Sequence, residues 1–126
     1  MVKINVQPDC GNSPRKLFLK QLYVAFAYGD TGFLTENISE SIEWEITGKL
    51  KVTGKKVFLD TLFSLEYWKV KELVIETIIT HSADASVSGV LTTNDNSKYD
   101  FCDICKFKTA GGTSIKSIKS FLIKLS

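Results

Sequence analysis

Cysteine and histidine are scarce in this sequence, which holds three cysteines and one histidine among 126 residues. Cys10, Cys102 and Cys105 are odd in number, and their spacing predicts reduced thiols rather than a disulfide framework. Cys102 and Cys105 form a C-x-x-C pair, but side chains three positions apart on a strand point to opposite faces. One histidine and scattered acids do not indicate a zinc site, and no nucleotide-binding fingerprint occurs. We therefore expect no metal and no cofactor.

A charge excess of one sign and long apolar runs are also missing. Sixteen Lys and Arg residues are balanced by 14 Asp and Glu residues, so nucleic acid is not an expected partner. The first nine residues contain no apolar core of signal-peptide length, and no apolar run is long enough to span a bilayer. These absences predict a cytoplasmic protein without a membrane partner. The hydrophobic fraction of 44% predicts one globular domain with a real core.

The stretch Lys98 to Phe107 has the composition of a central strand, because apolar residues occupy both of its faces. A carboxylate is costly to bury there unless it is partnered or protonated, which makes Asp103 the first candidate for a functional group. The alternative is a buried acid paired with a neighbouring Lys or Tyr. Strand alternation places Asp103 on one face with Tyr99, Phe101, Cys105 and Phe107.

The predicted elements follow the order helix, helix, strand, helix and then four strands joined by hairpins. Residues 1–12 are interpreted as a loose N-terminal arm and residues 13–126 as a single domain. Ser13 begins the first helix, Asp30 begins a short second one, and the third ends near Glu66. Lys49 to Thr53 is a loop or a short strand. Helices followed by a meander predict an α+β fold, in which three N-terminal helices pack on one curved, mostly antiparallel sheet.

Several local motifs in this order resemble the nuclear transport factor 2-like superfamily, specifically its SnoaL-like and ketosteroid-isomerase-like branch. They are F-A-Y-G-D at the end of the first helix, S-I-E-W-E-I-T-G, T-G-K-K-V-F before the third helix, and Y-D-F-C-D-I-C-K-F before the last strand. The resemblance covers roughly residues 13 to 125 and implies a cone-shaped scaffold. This scaffold hosts isomerases, cyclases, dehydratases, hydrolases and non-enzymatic binders, so the fold alone names no activity.

The resemblance implies roles for particular residues. The general-base aspartate of ketosteroid isomerases lies three residues before the glycine that closes the first strand, and Glu45 stands three before Gly48 here. The protonated aspartate of the family's oxyanion hole falls on Asp103. The oxyanion tyrosine falls on Leu22, while Tyr23 lies one residue away and about 100° round the helix. A steroid isomerase with the full family set is therefore not expected.

Two further positions leave alternatives open. His81 ends a strand next to a turn, where it is either a pH-sensitive group at the pocket rim or merely exposed. Glu45 either reaches the pocket or faces water, and it should not share the cavity with Trp44 unless a bulge intervenes. The residues expected to line a ligand pocket are aromatic or apolar: Tyr99, Phe101, Cys105, Tyr23, Phe26, Leu22, Trp44 and Phe58.

Two functions fit these features, and we favour the first. In the first, the cone binds a small, mostly apolar molecule, and Asp103 donates or accepts one orienting hydrogen bond. In the second, the protein is a cofactor-free acid/base enzyme of the isomerase, cyclase or dehydratase type. Glu45 or His81 would then move a proton, and Asp103 would stabilise an oxyanion. Such an enzyme needs two titratable groups across one cavity.

The charge state of Asp103 and the oligomeric state complete the expectations. Asp103 is predicted to face the cavity and to stay protonated well above the usual carboxyl range, unless Lys106, Lys108 or another base holds it ionised. Strands 70–81, 87–93 and 114–125 are apolar on both faces, with Val74 and Ile78 opposite Ile75 and Ile79. The outer face would leave an apolar patch in water, which predicts a homodimer.

Overall fold

The first two helices begin and end where their capping residues predict. In the structure, a computed structural model that describes residues 2–8, 13–64 and 69–125, α1 spans Pro14–Tyr28 and α2 spans Thr31–Asn37. The Ser13 hydroxyl accepts a hydrogen bond from a backbone N–H of the first turn of α1, and Asp30 does the same for α2. Gly29 ends α1 in the left-handed conformation with φ 72°, which a residue without Cβ adopts at little cost.

Helix α3 spans Lys55–Ser64, in agreement with the predicted third helix up to its last turn. The expected end near Glu66 and the thiol of Cys10 lie outside the described residues. Phe58 and Leu62 are the buried residues of α3, and the helix packs on the two strands that precede it.

The described residues contain seven strands in a single mixed sheet. In sheet order it runs β1-β4-β5-β6-β7-β2-β3, and neighbours are antiparallel except for the parallel pairs β1 with β4 and β2 with β7. The predicted meander is confirmed as β4 to β7. The strands are β1 (Lys3–Val6), β2 (Ile38–Ile46), β3 (Leu50–Thr53), β4 (Val70–His81), β5 (Asp84–Thr93), β6 (Lys98–Phe107) and β7 (Ile115–Lys124).

Two strands add to the predicted order. Part of the segment interpreted as a loose arm forms β1, which pairs in parallel with Glu72–Ile75 of β4 and so occupies one edge of the sheet. The arm is therefore not loose at residues 3–6, because the edge of β4 offers unpaired backbone groups to it. The segment left open as a loop or a short strand is the short strand β3, at the other edge.

A bulge in β4 changes which of its side chains face outward. The register with β5 shifts between Ile75 and Thr77, so Ile75 and Ile78 are both buried while Ile79 is exposed and Val74 half-buried. The prediction that Val74 shares a face with Ile78 is thus wrong, because one extra residue reverses the alternation.

One face of the sheet and the helices enclose the core. Helix α1 contacts β4 and α2, and α3 contacts β2 and β3. The buried side chains of α1 are Phe18, Leu19, Leu22, Tyr23, Ala25 and Phe26. They meet the inward side chains of β6, namely Phe101, Asp103, Cys105 and Phe107. The space between α1 and the inner face of the sheet is where a cavity remains.

Candidate functional site

A small, mostly apolar cavity lies between the helices and the inner face of the sheet. Its free volume is about 30 Å³, enough for one or two water molecules. Four lining residues carry polar side-chain atoms, namely Asp103, Ser120, Tyr23 with its hydroxyl and Trp44 with its indole nitrogen. The complete lining is Tyr23, Phe26, Ala27, Trp44, Ile46, Val70, Leu73, Leu91, Phe101, Asp103, Ser120 and Leu122.

Asp103 lies in the cavity wall because β6 alternates regularly. Phe101, Asp103, Cys105 and Phe107 are buried, and the residues between them are exposed or half-buried, which confirms the predicted alternation. The side chain of Asp103 is buried with 9% of the residue surface exposed. Pairing with β5 and β7 on either side holds the strand in the middle of the sheet.

Hydrogen bonds partner the Asp103 carboxyl. The Tyr23 hydroxyl donates to Asp103 Oδ2 at 2.5 Å and lies 3.7 Å from Cys105 Sγ. Ser120 is the cross-strand partner of Asp103 in β7, and its hydroxyl lowers the pKa of the carboxyl. Trp44 Nε1 donates in turn to Ser120 Oγ at 3.1 Å. Helix α1 and strands β2, β6 and β7 thus meet at one polar cluster.

Burial dominates the protonation of this cluster. Desolvation raises the pKa of Asp103 to about 6, against the lowering effect of the hydrogen bonds from Tyr23 and Ser120. Burial also raises the pKa of the Tyr23 phenol above its usual value, and the negative charge of Asp103 adds to this. The pKa of the Cys105 thiol rises to about 12, mainly through burial. At neutral pH, therefore, Asp103 is the group in this cluster that carries charge.

The lysines considered as partners of Asp103 do not reach it. Lys106 Nζ pairs with Asp84 Oδ1 at 2.9 Å on the outer face, and Lys108 is exposed beyond the end of β6. Within the described part of the chain, no salt bridge involves Asp103. The sequence left open that Asp103 is a buried acid paired with a Lys or a Tyr, and the tyrosine that contacts it is Tyr23 of α1.

The tyrosine position implied by the family resemblance is shifted by one residue. Leu22 is fully buried in the core, whereas the hydroxyl of Tyr23 reaches Asp103. The rotation of about 100° between neighbouring helical residues does not keep Tyr23 from the site. Its ring lies between Phe26, whose centroid is 5.2 Å away, and Phe101, stacked at 6.0 Å.

Half of the eight residues expected to line a pocket belong to the cavity lining. Tyr23, Phe26, Trp44 and Phe101 are in it, and Leu22, Phe58, Cys105 and Tyr99 are not. Cys105 lies behind the Tyr23 hydroxyl, and Phe58 packs edge-on against Trp44 with centroids 5.0 Å apart. Tyr99 is half-buried and packs against the edge of the core.

The structure separates the two candidate bases from the cavity. Trp44 lines the cavity, and Glu45, the next residue of β2, is outside the lining and stands beside Lys51 and Lys119 on neighbouring strands. The bulge in β2 precedes this pair, between Ile38 and Glu43, so it does not bring both side chains to one face.

His81 is exposed at the far end of β4, eight residues from the cavity residue Leu73. Eight residues of extended strand correspond to about 26 Å. In the described residues, the titratable groups that line the cavity are Asp103 and Tyr23. The pair of groups required by the acid/base hypothesis, with Glu45 or His81 as the base, is not brought together.

Ser120 is the functional candidate that sequence reasoning missed. It shares a face of β7 with Ile118 and Leu122, and this alternation was the available signal for an inward serine. Strands β4 and β5 contribute the aliphatic lining residues Val70, Leu73 and Leu91. From the sequence, these residues could be identified only as part of the core.

The described residues provide neither a metal-binding cluster nor a membrane-spanning helix. Among residues 2–8, 13–64 and 69–125, no three His, Cys, Asp or Glu side chains cluster as they would around a metal ion. No helix in the same described ranges is long and apolar enough to cross a membrane.

Comparison with known proteins gives matches in structure. No family model matches the sequence. No curated protein matches it either. An NTF2-like protein of unknown function from Cytophaga hutchinsonii ATCC 33406 superposes with a TM-score of 0.68 over 86% of this chain and 99% of its own, at 23% identity.

Two further solved structures share the architecture. One, from Agrobacterium tumefaciens str. C58, is described as a candidate isomerase of the SnoaL-like family. It has a TM-score of 0.68 and 16% identity over 85% of this chain and 96% of its own. The other is an LEH-like epoxide hydrolase from M. tuberculosis, with a TM-score of 0.68 and 13% identity over 84% of this chain and 80% of its own. The element order, the mixed sheet and these superpositions show that the chain has the nuclear transport factor 2-like fold.

Proposed function

We propose that the protein binds a small, mostly apolar molecule in the cavity between α1 and the sheet, with Asp103 forming one hydrogen bond that orients it. The observation that supports this most directly is a buried carboxyl in the wall of an otherwise apolar cavity. Ligand sites commonly combine a hydrophobic lining with a few polar groups that fix orientation.

The cost of burying Asp103 supports a functional role. The raised pKa means that the ionised carboxyl is less stable in the folded protein than in the unfolded chain. An apolar residue of similar size would avoid this cost. A perturbed carboxyl in a cavity is therefore a candidate functional group rather than a stabilising one.

The size of the cavity restricts what can bind. A free volume of about 30 Å³ is far below that of pockets that hold drug-sized ligands. A ligand larger than one or two water molecules must displace lining side chains. Leu122 is half-buried in the lining and can move at lower cost than the fully buried residues.

The experiment is methyl-detected NMR with toluene and benzyl alcohol as probes. Binding in the cavity should shift the methyl resonances of Leu73, Leu91 and Leu122, while those of Ile104 and Ile123 on the outer face stay unchanged. Benzylamine, which has the same ring and carries a positive charge, is the third probe. Failure of all three probes to shift the cavity methyl resonances would refute the proposal.

A matched pair of variants in α1 locates the binding. Ala27→Leu adds bulk to the lining and should abolish the shifts, because Ala27 is part of the cavity wall. Gln21→Leu is the control, since Gln21 is exposed on the same helix. Equal binding by both variants would place the ligand elsewhere.

We also propose that the protein forms a homodimer through the outer face of the sheet. Exposed apolar side chains support this face as the interface, with Ile79 58%, Ile104 41% and Ile123 65% exposed. Between them lie the short uncharged side chains Ser86 and Ser88 on β5. A second copy of the chain presents the same three isoleucines, and pairing about a two-fold axis would cover the isoleucines of both copies.

A further inference from the structure

We propose that the ligand of this cavity is a small apolar amine, whose ammonium group pairs with the Asp103 carboxylate. This inference rests on the proposed ligand-binding function and adds the chemical class of the ligand. Three features of the site support it: the direction of its hydrogen bonds, its lack of a cation, and its aromatic rings.

The hydrogen bonds of the site converge on Asp103. The Trp44 indole N–H can only donate, so Ser120 Oγ accepts from it, and the Ser120 hydroxyl hydrogen stays available to an acceptor such as Asp103, its cross-strand partner. The Tyr23 hydroxyl hydrogen is also directed to Asp103. With these donors engaged, the site presents carboxylate lone pairs to a ligand. A ligand that donates a hydrogen bond can therefore bind the carboxylate, whereas a ligand carbonyl oxygen would face another acceptor.

The site has a negative charge and no protein cation to pair with it. No described Lys, Arg or His forms a salt bridge with Asp103. The titratable groups that face Asp103 are Tyr23 from α1 and Cys105 from β6, and burial keeps both neutral at pH 7. Ser120 and Trp44 face it from β7 and β2 and do not titrate. An unpaired buried carboxylate is costly, and an ammonium ligand would supply the missing counterion.

The rest of the lining suits such a ligand. Tyr23, Phe26, Trp44 and Phe101 contribute aromatic rings, and ring faces attract cations. Val70, Leu73, Leu91 and Leu122 offer aliphatic surface for the hydrocarbon part of the amine. Because the free volume is about 30 Å³, even a probe with a single ring must displace lining side chains such as Leu122, so the probes are kept to one ring.

The test compares benzylamine with toluene, benzyl alcohol and acetophenone on the wild-type protein at pH 7.5, by NMR-detected titration. The charge-assisted hydrogen bond should make benzylamine bind at least about tenfold more tightly than benzyl alcohol. Equal affinity for these two probes, or tighter binding of acetophenone, would overturn the amine assignment and leave the ligand-binding function standing. Failure of every probe would remove the binding function itself.

The pH dependence provides a second measurement that needs no variant. Benzylamine stays cationic between pH 5 and 7.5, and Asp103 gains its proton in this range because its pKa is about 6. Benzylamine affinity should therefore be about tenfold weaker at pH 5 than at pH 7.5, while toluene affinity stays constant. A pH-independent benzylamine affinity would overturn the assignment.

Two matched variants on β6 complete the test. Asp103→Asn keeps the shape of the side chain and should remove the preference for benzylamine while toluene still binds. Asp100→Asn, on the outer face of the same strand, should leave both affinities unchanged. Retention of the benzylamine preference in Asp103→Asn would contradict the pairing.

Discussion

The Tyr23 hydroxyl donates a hydrogen bond of 2.5 Å to Asp103 Oδ2, across 80 residues of sequence. This contact joins the last turns of α1 to the middle of the sheet. It also stabilises the charged form of a carboxyl that burial would otherwise keep neutral to higher pH. The balance between these two effects sets the charge of the cavity.

Replacing Tyr23 by Phe should raise the pKa of Asp103 further above about 6. A hydrogen bond to a charged group contributes about 1.5–3 kcal/mol, which corresponds to roughly one to two pKa units. Carbon-detected NMR of the Asp103 carboxyl measures the shift. Tyr28→Phe is the control, because Tyr28 is 56% exposed on the same helix. An unchanged midpoint in Tyr23→Phe would mean that the hydroxyl does not stabilise the carboxylate.

Asp103 should also make the protein less stable as the pH rises from about 4 to about 6. The native state keeps a proton on Asp103 that the unfolded chain, with a carboxyl pKa of 3.8, has already released. The free energy of unfolding therefore falls across this window by roughly 3 kcal/mol and is level above it.

The measurement is urea unfolding of wild type and Asp103→Asn at several pH values. Other carboxyls titrate in both proteins, so the difference between the two curves isolates Asp103. Relative to wild type, Asp103→Asn should have a higher free energy of unfolding at pH 7 than it has at pH 4. Asp100→Asn, exposed on the same strand, should parallel wild type. A pH-independent difference between wild type and Asp103→Asn would contradict the raised pKa.

The sequence allowed the site to be predicted where a local rule determines the geometry. Strand alternation gave the inward face of β6 with Asp103 on it, and capping residues gave both ends of α1. These rules depend on neighbours in the chain, so a single sequence contains them. The order of the elements together with the local motifs then indicated the fold.

Features that depend on docking between elements could not be predicted in the same way. The approach of Tyr23 to Asp103 follows from how α1 rotates against the sheet, and counting residues from Gly29 favoured Leu22 instead. The side chain of Glu45 could face either way until the register of β2 was known. The bulge in β4 follows the Ile75–Gly89 pair in the register with β5, and no pattern in β4 reveals it.

Gly89 is required by this close pairing of β4 and β5. A Cβ at position 89 would lie 1.9 Å from the carbonyl oxygen of Val74, so the backbone would have to move. Gly89→Ala should destabilise the protein by about 2 kcal/mol or more, as measured by urea unfolding. Gly111→Ala is the control, since its Cβ would meet no atom within 4 Å. Equal stability of the two variants would show that the strands can separate at no cost.

The proposed dimer can be tested by a charge on the outer face. Wild type should sediment at twice the chain mass of 14.1 kDa at micromolar concentration, and Ile104→Lys should sediment as a monomer. Burying an unpaired lysine in an apolar interface is unfavourable. Leu17→Lys is the control, because Leu17 is similarly exposed but lies on α1. A wild-type protein that sediments only near 14.1 kDa would refute the dimer.

The most direct test of the central claim, that Asp103 is a buried carboxyl facing an apolar cavity without a protein cation, is the titration of wild-type Asp103 by carbon-detected NMR. The structure leads us to expect a midpoint near 6. A midpoint at or below about 4 would show an ordinary solvated or ion-paired carboxylate and would contradict the account.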